Sequence, residues 1–190
     1  ITSCWQATDD IKEHMLHFLE NHDEQRIASA YFAGNAEKAK PALAAGALMS
    51  PGAYMVYAGQ EIGEAGMDAE GFSGNDGRTT IFDYWNPASL QKLTAPAFEK
   101  KLTPEEAALY DYYQKILTLC NSRKAFAQGG FFDLQYANYG RDYGYNCDRQ
   151  YSFLRHFGRE VYLVAVNFAP ASVQVGIKIP SHAFDVLKLR

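Results

Sequence analysis

The sequence predicts two parts of different class: an α/β portion over residues 1–124 and an all-β portion over residues 125–190. Three observations carry this. Apolar runs of strand length alternate with helix-prone stretches in the first third of the chain. A helix with strong end signals follows, closing at Asn121-Ser122-Arg123. Beyond Arg123 the apolar residues fall into extended runs, the last of them with strict period two.

Within the α/β portion, residues 9–14 read as the end of a helix and residues 15–19 as a short apolar strand. Residues 35–49 are Ala-rich and helix-prone, and Pro51-Gly52 breaks that helix. Residues 53–58 then read as a buried strand, followed by a long, Gly-rich, acidic loop over residues 59–77. Strand, helix, strand and loop in this order describe βα units feeding a parallel sheet. Next comes the best-signed helix. Thr103-Pro104-Glu105-Glu106 combines an N-cap Thr, Pro at the first helical position and Glu at the third, a capping box. Leu109, Tyr112, Ile116, Leu119 and Cys120 follow at helical spacing and define one buried face.

In the all-β portion, residues 131–136, 151–157 and 161–168 are aromatic or apolar. Val173, Val175, Ile177 and Ile179 alternate with Gln174, Gly176 and Lys178. The expectation is an uninterrupted antiparallel sheet. Two βα units cannot cover both faces of a parallel sheet, and an eight-unit barrel takes about 250 residues. The α/β portion therefore reads as the tail of something larger, with a small α+β fold as the alternative.

Composition narrows the function classes. Of 190 residues, 47% are hydrophobic and 21% charged, so the chain can bury a core. Lys and Arg number 18 against 22 Asp and Glu, a net charge of −4 with no long basic run. That disfavours nucleic acid and membrane surfaces as partners. Residues 41–59 lack charge, but Gly46 and Pro51-Gly52 interrupt them and Ala dominates, so membrane insertion is not expected. Cys4, Cys120 and Cys147 are too scattered for a disulfide framework and read as free thiols. No leader pattern opens the chain, which starts at Ile1, and the compartment stays open.

The sharpest constellation is Phe18-Leu19-Glu20-Asn21-His22-Asp23-Glu24, where an apolar strand ends abruptly in amide, imidazole and carboxylate groups. Catalytic groups in α/β folds sit where strands end, and adjacent Asn, His and Asp suit the gripping of vicinal sugar hydroxyls. Asn and Asp are also strong helix N-caps, so a capping role fits the same residues. A zinc reading of His14 and His17 competes, with Glu13, Glu20, His22 and Asp23 nearby. The HExxH pattern is missing, since Met15 and Leu16 lie between the two histidines. Residues 71–77, with Asn75 and Asp76, lack the alternating ligands of a calcium loop and read as a site-rim loop. Tyr136, Tyr139, Tyr143 and Tyr145 suit either sugar stacking or packing between strands.

These residues resemble a known family. The stretch from Phe18 to Asp23 is similar to the FxxNHD motif ending the seventh barrel strand of the α-amylase family of glycoside hydrolases. The stretch from Pro51 to Glu61 is similar to that family's eighth-strand motif. Gly52, Val56, Tyr57, Gly59 and Glu61 match, while Tyr54 and Ala58 depart from its common Pro and Tyr. The stretch from Gly77 to Trp85 resembles the segment that follows, and the β-rich remainder resembles the antiparallel C-terminal domain.

The resemblance implies the last two units of a (β/α)8 TIM barrel followed by an antiparallel β-sandwich. It implies that the parent is a retaining enzyme acting on α-linked glucan, by hydrolysis or transfer. Asp23 would be the carboxylate that stabilises the transition state by distorting the sugar ring. His22, Asn21 and Trp85 would bind substrate, with Asn21 orienting the pair and Trp85 lining a subsite. Glu61 and Tyr57 would be structural. The family's nucleophile and acid motifs do not occur in these residues, so the chain alone is expected to be inactive. No cofactor or metal is implied for this chain, and calcium is compatible with the parent. The expected partners are the glucan and either a second copy of the chain or the remainder of the barrel. A bacterial-type parent would be cytoplasmic, periplasmic or secreted. The rival reading is a carbohydrate-binding or assembly module that keeps the fold without turnover.

Overall fold

The architecture comes from a computed structural model that describes residues 1–66, 76–79, 81 and 87–189. Eleven elements matter here. They are α1 (Thr2–Ala7), β1 (His17–Phe18), α2 (Ala39–Met49), β2 (Tyr54–Met55), α3 (Ala88–Thr94), α4 (Pro104–Ser122), α5 (Lys124–Ala127), β3 (Gly130–Asp133), β4 (Gln150–Phe157), β5 (Glu160–Asn167) and α6 (Ser181–Val186). β1 and β2 make a two-stranded sheet, and the order β3-β4-β5 makes a three-stranded one.

The expected helices form where their signals lie. In α4 the capping box is reciprocal: the Thr103 amide donates to Glu106 Oε2 at 2.8 Å, and the Glu106 amide donates to Thr103 Oγ1 at 3.2 Å. The α4 face buries Leu109, Tyr113 and Ile116 most deeply. Tyr113 thus takes a place the spacing assigns to its neighbour Tyr112. In front of α2, the Asn35 side chain accepts from the Glu37 amide and starts a 3-10 turn, Ala36–Lys38.

The two barrel-type strands are shorter than residues 15–19 and 53–58 predict. A 3-10 turn at Lys12–His14 occupies the chain just before β1, where the sequence predicts a helix end. After β2, the Gln60 amide donates to the Tyr57 carbonyl at 2.9 Å. That turn draws Tyr57 out of any ladder.

Contacts divide the chain into two compact units. One comprises Ile1–His17, Ala44–Ala53 and Ile116–Arg190; the other comprises Phe18–Leu43 and Tyr54–Lys115. This grouping does not follow a linear boundary at residue 124.

In the first unit, β4 pairs antiparallel with both neighbours, with Leu154 opposite Phe132 on β3 and Leu163 on β5. Leu134, Leu154, Ala183 and Leu187 form a buried cluster with Phe132, Val161 and Ile177 packed against it. Helix α6 therefore supplies the layer where the sequence predicts a second sheet. The sandwich is corrected to one antiparallel sheet with a helix packed against it, among the described residues. Residues 173–179 alternate as a strand should but form no ladder. Two partners hold them instead: Lys178 N donates to Asn138 Oδ1 at 2.8 Å and Asn138 Nδ2 donates to the Lys178 carbonyl at 3.2 Å, while the Gly176 amide donates to the Tyr143 carbonyl at 2.9 Å. A side-chain amide satisfies the backbone groups a neighbouring strand would otherwise use.

Arg155, on β4, is fully buried in this unit. It donates to the carbonyls of Ala125 at 3.1 Å, Phe126 at 3.0 Å and Gly129 at 2.8 Å, and to that of Met49 at the end of α2. Helix C-termini leave carbonyls unpaired, and this guanidinium collects them. Burial pulls the Arg155 pKa down to about 10. No helix among the described residues is long and apolar enough to cross a membrane.

Candidate functional site

The polar cluster after β1 is a closed loop in the second unit. Asn21 Oδ1 accepts the amides of Asp23 at 2.9 Å and Glu24 at 3.0 Å. This realises the capping role its sequence position allows, at a turn rather than a helix. The bend turns the next two side chains outward. The His22 imidazole is 41% exposed and the Asp23 carboxylate 70%, with His22 Nε2 at 3.6 Å from Asp23 Oδ1. The structure thus brings Asn21, His22 and Asp23 together, one ordering the backbone and two presenting polar groups to solvent. Trp85 lies outside the described residues, as does most of the loop 71–77.

Beneath the loop lies a buried charged hub that the sequence analysis does not assign. Arg26 NH1 donates to Glu20 Oε2 at 2.9 Å, with both side chains essentially sealed from solvent. The other Glu20 oxygen accepts the Ile27 amide at 2.7 Å. The remaining Arg26 donors reach Thr79 Oγ1 at 3.0 Å and the Ala58 carbonyl at 2.7 Å. Its guanidinium carbon lies 4.1 Å from the centre of the Tyr57 ring, a cation–π contact. Tyr57 in turn donates its hydroxyl to the Thr79 carbonyl at 2.8 Å. Glu64 Oε1 accepts from Thr79 Oγ1 and from the Gly66 amide, at 3.3 and 2.7 Å.

Burial sets the electrostatics. It pushes the Glu20 carboxyl above its ordinary value, against the pull of the Arg26 and Ile27 hydrogen bonds and the Arg26 charge. Burial also raises the Tyr57 hydroxyl; Arg26 opposes the rise, while the charges of Glu20 and Asp23 add to it. The Glu61 carboxyl is raised by burial as well, and its Oε2 is buried without a hydrogen-bond partner among the described residues.

Two glycines make the packing possible. Gly77 has φ of +83°, its carbonyl accepts the Arg26 amide at 2.7 Å, and a Cβ there would meet Ser29 Oγ at 2.2 Å. Gly59 has φ of +93°, and a Cβ would meet the Glu64 Cβ at 2.8 Å.

Other candidates disperse. Among the described residues no three His, Cys, Asp or Glu side chains converge on a metal position, and His14 and His17 form no such group. Of the tyrosines, Tyr136, Tyr139 and Tyr143 are exposed, but Tyr145 is buried and donates to Gln135 Oε1 at 2.7 Å. They do not share one stacking face. A signal for the hub is readable in retrospect. Arg26 is the only charged residue in the otherwise small and apolar stretch from Arg26 to Ala30, and such a cation needs a buried partner.

A profile described as alpha amylase, catalytic domain, matches residues 2–129. The chain belongs to the alpha-amylase family. No curated protein matches it. Among solved structures, an isomaltulose synthase from Erwinia rhapontici NX5, bound to its natural substrate sucrose, is 17% identical with a TM-score of 0.49. That match covers 88% of this chain and 38% of the other. A Bacillus licheniformis trehalose-6-phosphate hydrolase is 18% identical with a TM-score of 0.49, covering 80% and 34%. The isomaltulose synthase SmuA from Protaminobacter rubrum is 20% identical with a TM-score of 0.48, covering 81% and 34%. The chain thus spans little more than a third of the length of these structures.

Proposed function

We propose that this chain is the C-terminal part of a retaining glycoside hydrolase acting on α-linked glucan, with Asp23 as its transition-state-stabilising carboxylate. The observation that carries this reading is the outward presentation of His22 and Asp23 on a loop whose backbone Asn21 orders and whose floor is a buried ion pair. A carboxylate and an imidazole so placed can accept from and donate to adjacent hydroxyls of one sugar ring. Such contacts accelerate cleavage where they tighten as the ring flattens toward an oxocarbenium-like state.

Double displacement also needs a nucleophile and an acid about 5–5.5 Å apart. Those groups would come from the rest of the barrel, so the 190-residue chain is inactive alone. Residues 1–124 would belong to the barrel and 125–190 to the C-terminal domain, a division supported by the end of the catalytic-domain match at residue 129. Trp85 would line a sugar subsite, and any calcium would be held elsewhere in the parent. Alone, the chain would associate with a second copy or with the remainder of the barrel.

The test is kinetic. In the complete enzyme, Asp23→Asn should lower kcat and kcat/KM together by several powers of ten, on the order of 10³ or more. His22→Ala should cost about 10- to 1000-fold. A change confined to KM, or turnover of maltooligosaccharides by the isolated chain above an Asp23→Ala control, overturns the assignment.

A further inference from the structure

We propose that Arg26, fixed by Glu20, is the positioning residue that sets the geometry of His22 and Asp23. Its catalytic consequence rests on the function proposed above; its structural content does not.

The argument starts from loop closure. Glu20 and Ile27 stand at the two ends of the segment that carries Asn21, His22 and Asp23, and one carboxylate oxygen of Glu20 ties them together. The other oxygen holds Arg26. One carboxylate therefore clamps both ends of the loop, and the Asn21 side chain orders its middle. A clamp of this kind fixes shape but not place. Place comes from the other two arms of the guanidinium, which end on Thr79 Oγ1 and on the Ala58 carbonyl just beyond β2. Tyr57 lies against the guanidinium face and is itself held by the Thr79 carbonyl.

The chemistry requires arginine. A planar fork delivers donors along three fixed directions while presenting a face to an aromatic ring; an ammonium is a compact point charge and cannot do both. Thr79 is in turn accepted by Glu64, so the far anchor is itself restrained. Because Glu20 balances the Arg26 charge, the hub can sit under Asp23 without presenting an uncompensated cation there. The hub touches no sugar; it acts through the loop.

Two variants and one control decide the matter. In the 190-residue chain, amide and imidazole resonances of residues 21–27 are followed in Arg26→Lys and in Thr79→Val. Loss of the fork, or of one anchor, should shift His22, Asp23 and Glu24. It should also speed exchange of the Ile27 amide by about tenfold or more, as its clamp loosens. In the complete enzyme, Arg26→Lys should lower kcat about 10- to 100-fold with KM nearly unchanged, as a misplaced group does. Thr79→Val should act in the same direction and less strongly.

If Arg26→Lys does not fold, Thr79→Val carries the test, since it keeps the ion pair. Unshifted signals for residues 21–24 in a folded variant, with kcat within about twofold of wild type, overturn the inference. Perturbation confined to the surroundings of residue 79 does the same. Failure of the proposed function looks different: Asp23→Asn leaves kcat intact, whatever the resonances of the loop do.

Discussion

Arg26 and Arg155 are both sealed from solvent, yet the two compact units satisfy them by opposite means. Arg26 meets a carboxylate, a hydroxyl, one carbonyl and an aromatic face. Among the described residues, Arg155 meets backbone carbonyls alone. The first arrangement is close to charge-neutral and directional, which suits a floor beneath groups that must hold a position. The second leaves a cation balanced only by partial charges, and burial pulls its pKa down to about 10. What it gains is reach, because one side chain closes the end of α2 and several carbonyls around α5. A buried charge can thus fix a geometry or gather loose chain ends, and its partners reveal which.

The comparison breaks most visibly at Arg155. Arg155→Leu strands four buried carbonyls, each costing about 1–3 kcal/mol, so a loss on the order of 5 kcal/mol or failure to fold is expected. Urea denaturation with far-UV circular dichroism reads it; a loss below about 1 kcal/mol would mean that water or relaxation satisfies those carbonyls.

Somewhat smaller is the effect of dividing the paired charge. Arg26→Met or Glu20→Met alone should destabilise by about 3–5 kcal/mol, because each leaves an unpaired ion inside. The double replacement should cost clearly less than the sum of the two singles, the sign of direct coupling. Additive losses would show that the two residues act independently. No partner replacement of this kind can rescue Arg155, which has no carboxylate to remove.

The smallest effect concerns Cys120, whose thiol donates to the Ala47 carbonyl at 3.3 Å. Burial pushes this thiol up from 9.0 to about 11, and the Arg155 charge pulls the other way. A native pKa above the unfolded one means that the folded state holds the proton more tightly. The stability this provides is full below pH 9 and disappears as pH rises through about 11. Denaturation midpoints should therefore fall more steeply over that window in wild type than in Cys120→Ala. Parallel curves would dissociate the thiol from the alkaline limb.

How much of this was legible in the sequence depends on the range of the forces involved. Thr103 and Glu106 signal α4 because a capping box closes within four residues. Asn21, His22 and Asp23 stand out because an apolar strand ends at them. The strands about Met15 and Ala53 are shorter than their apolar runs, since apolar pattern records burial but not where a turn such as Tyr57–Gln60 diverts the chain. Residues 173–179 carry a strand's alternation and become a strap, because what holds them is one side chain, Asn138, and one isolated carbonyl, that of Tyr143, both distant in sequence. The partners of Arg155 are backbone carbonyls, which every residue possesses and no composition marks, and those of Arg26 reach as far along the chain as Tyr57 and Thr79. The roles of the hub and the strap become visible only in three dimensions.

The strap also depends on the identity of a single nitrogen atom. Asn138 is buried, and besides its two bonds with Lys178 it donates Nδ2 to the Leu134 carbonyl at 2.7 Å. Its nitrogen serves two carbonyls while its oxygen serves one amide, an assignment only an uncharged amide can fill. Deamidation to aspartate would exchange that nitrogen for oxygen and set a carboxylate against two carbonyls. The strap would lose that clasp, while the Gly176 amide still donates to the Tyr143 carbonyl and Ile177 still packs against the buried cluster. One atom exchanged in one side chain would thus weaken a segment that no ladder secures.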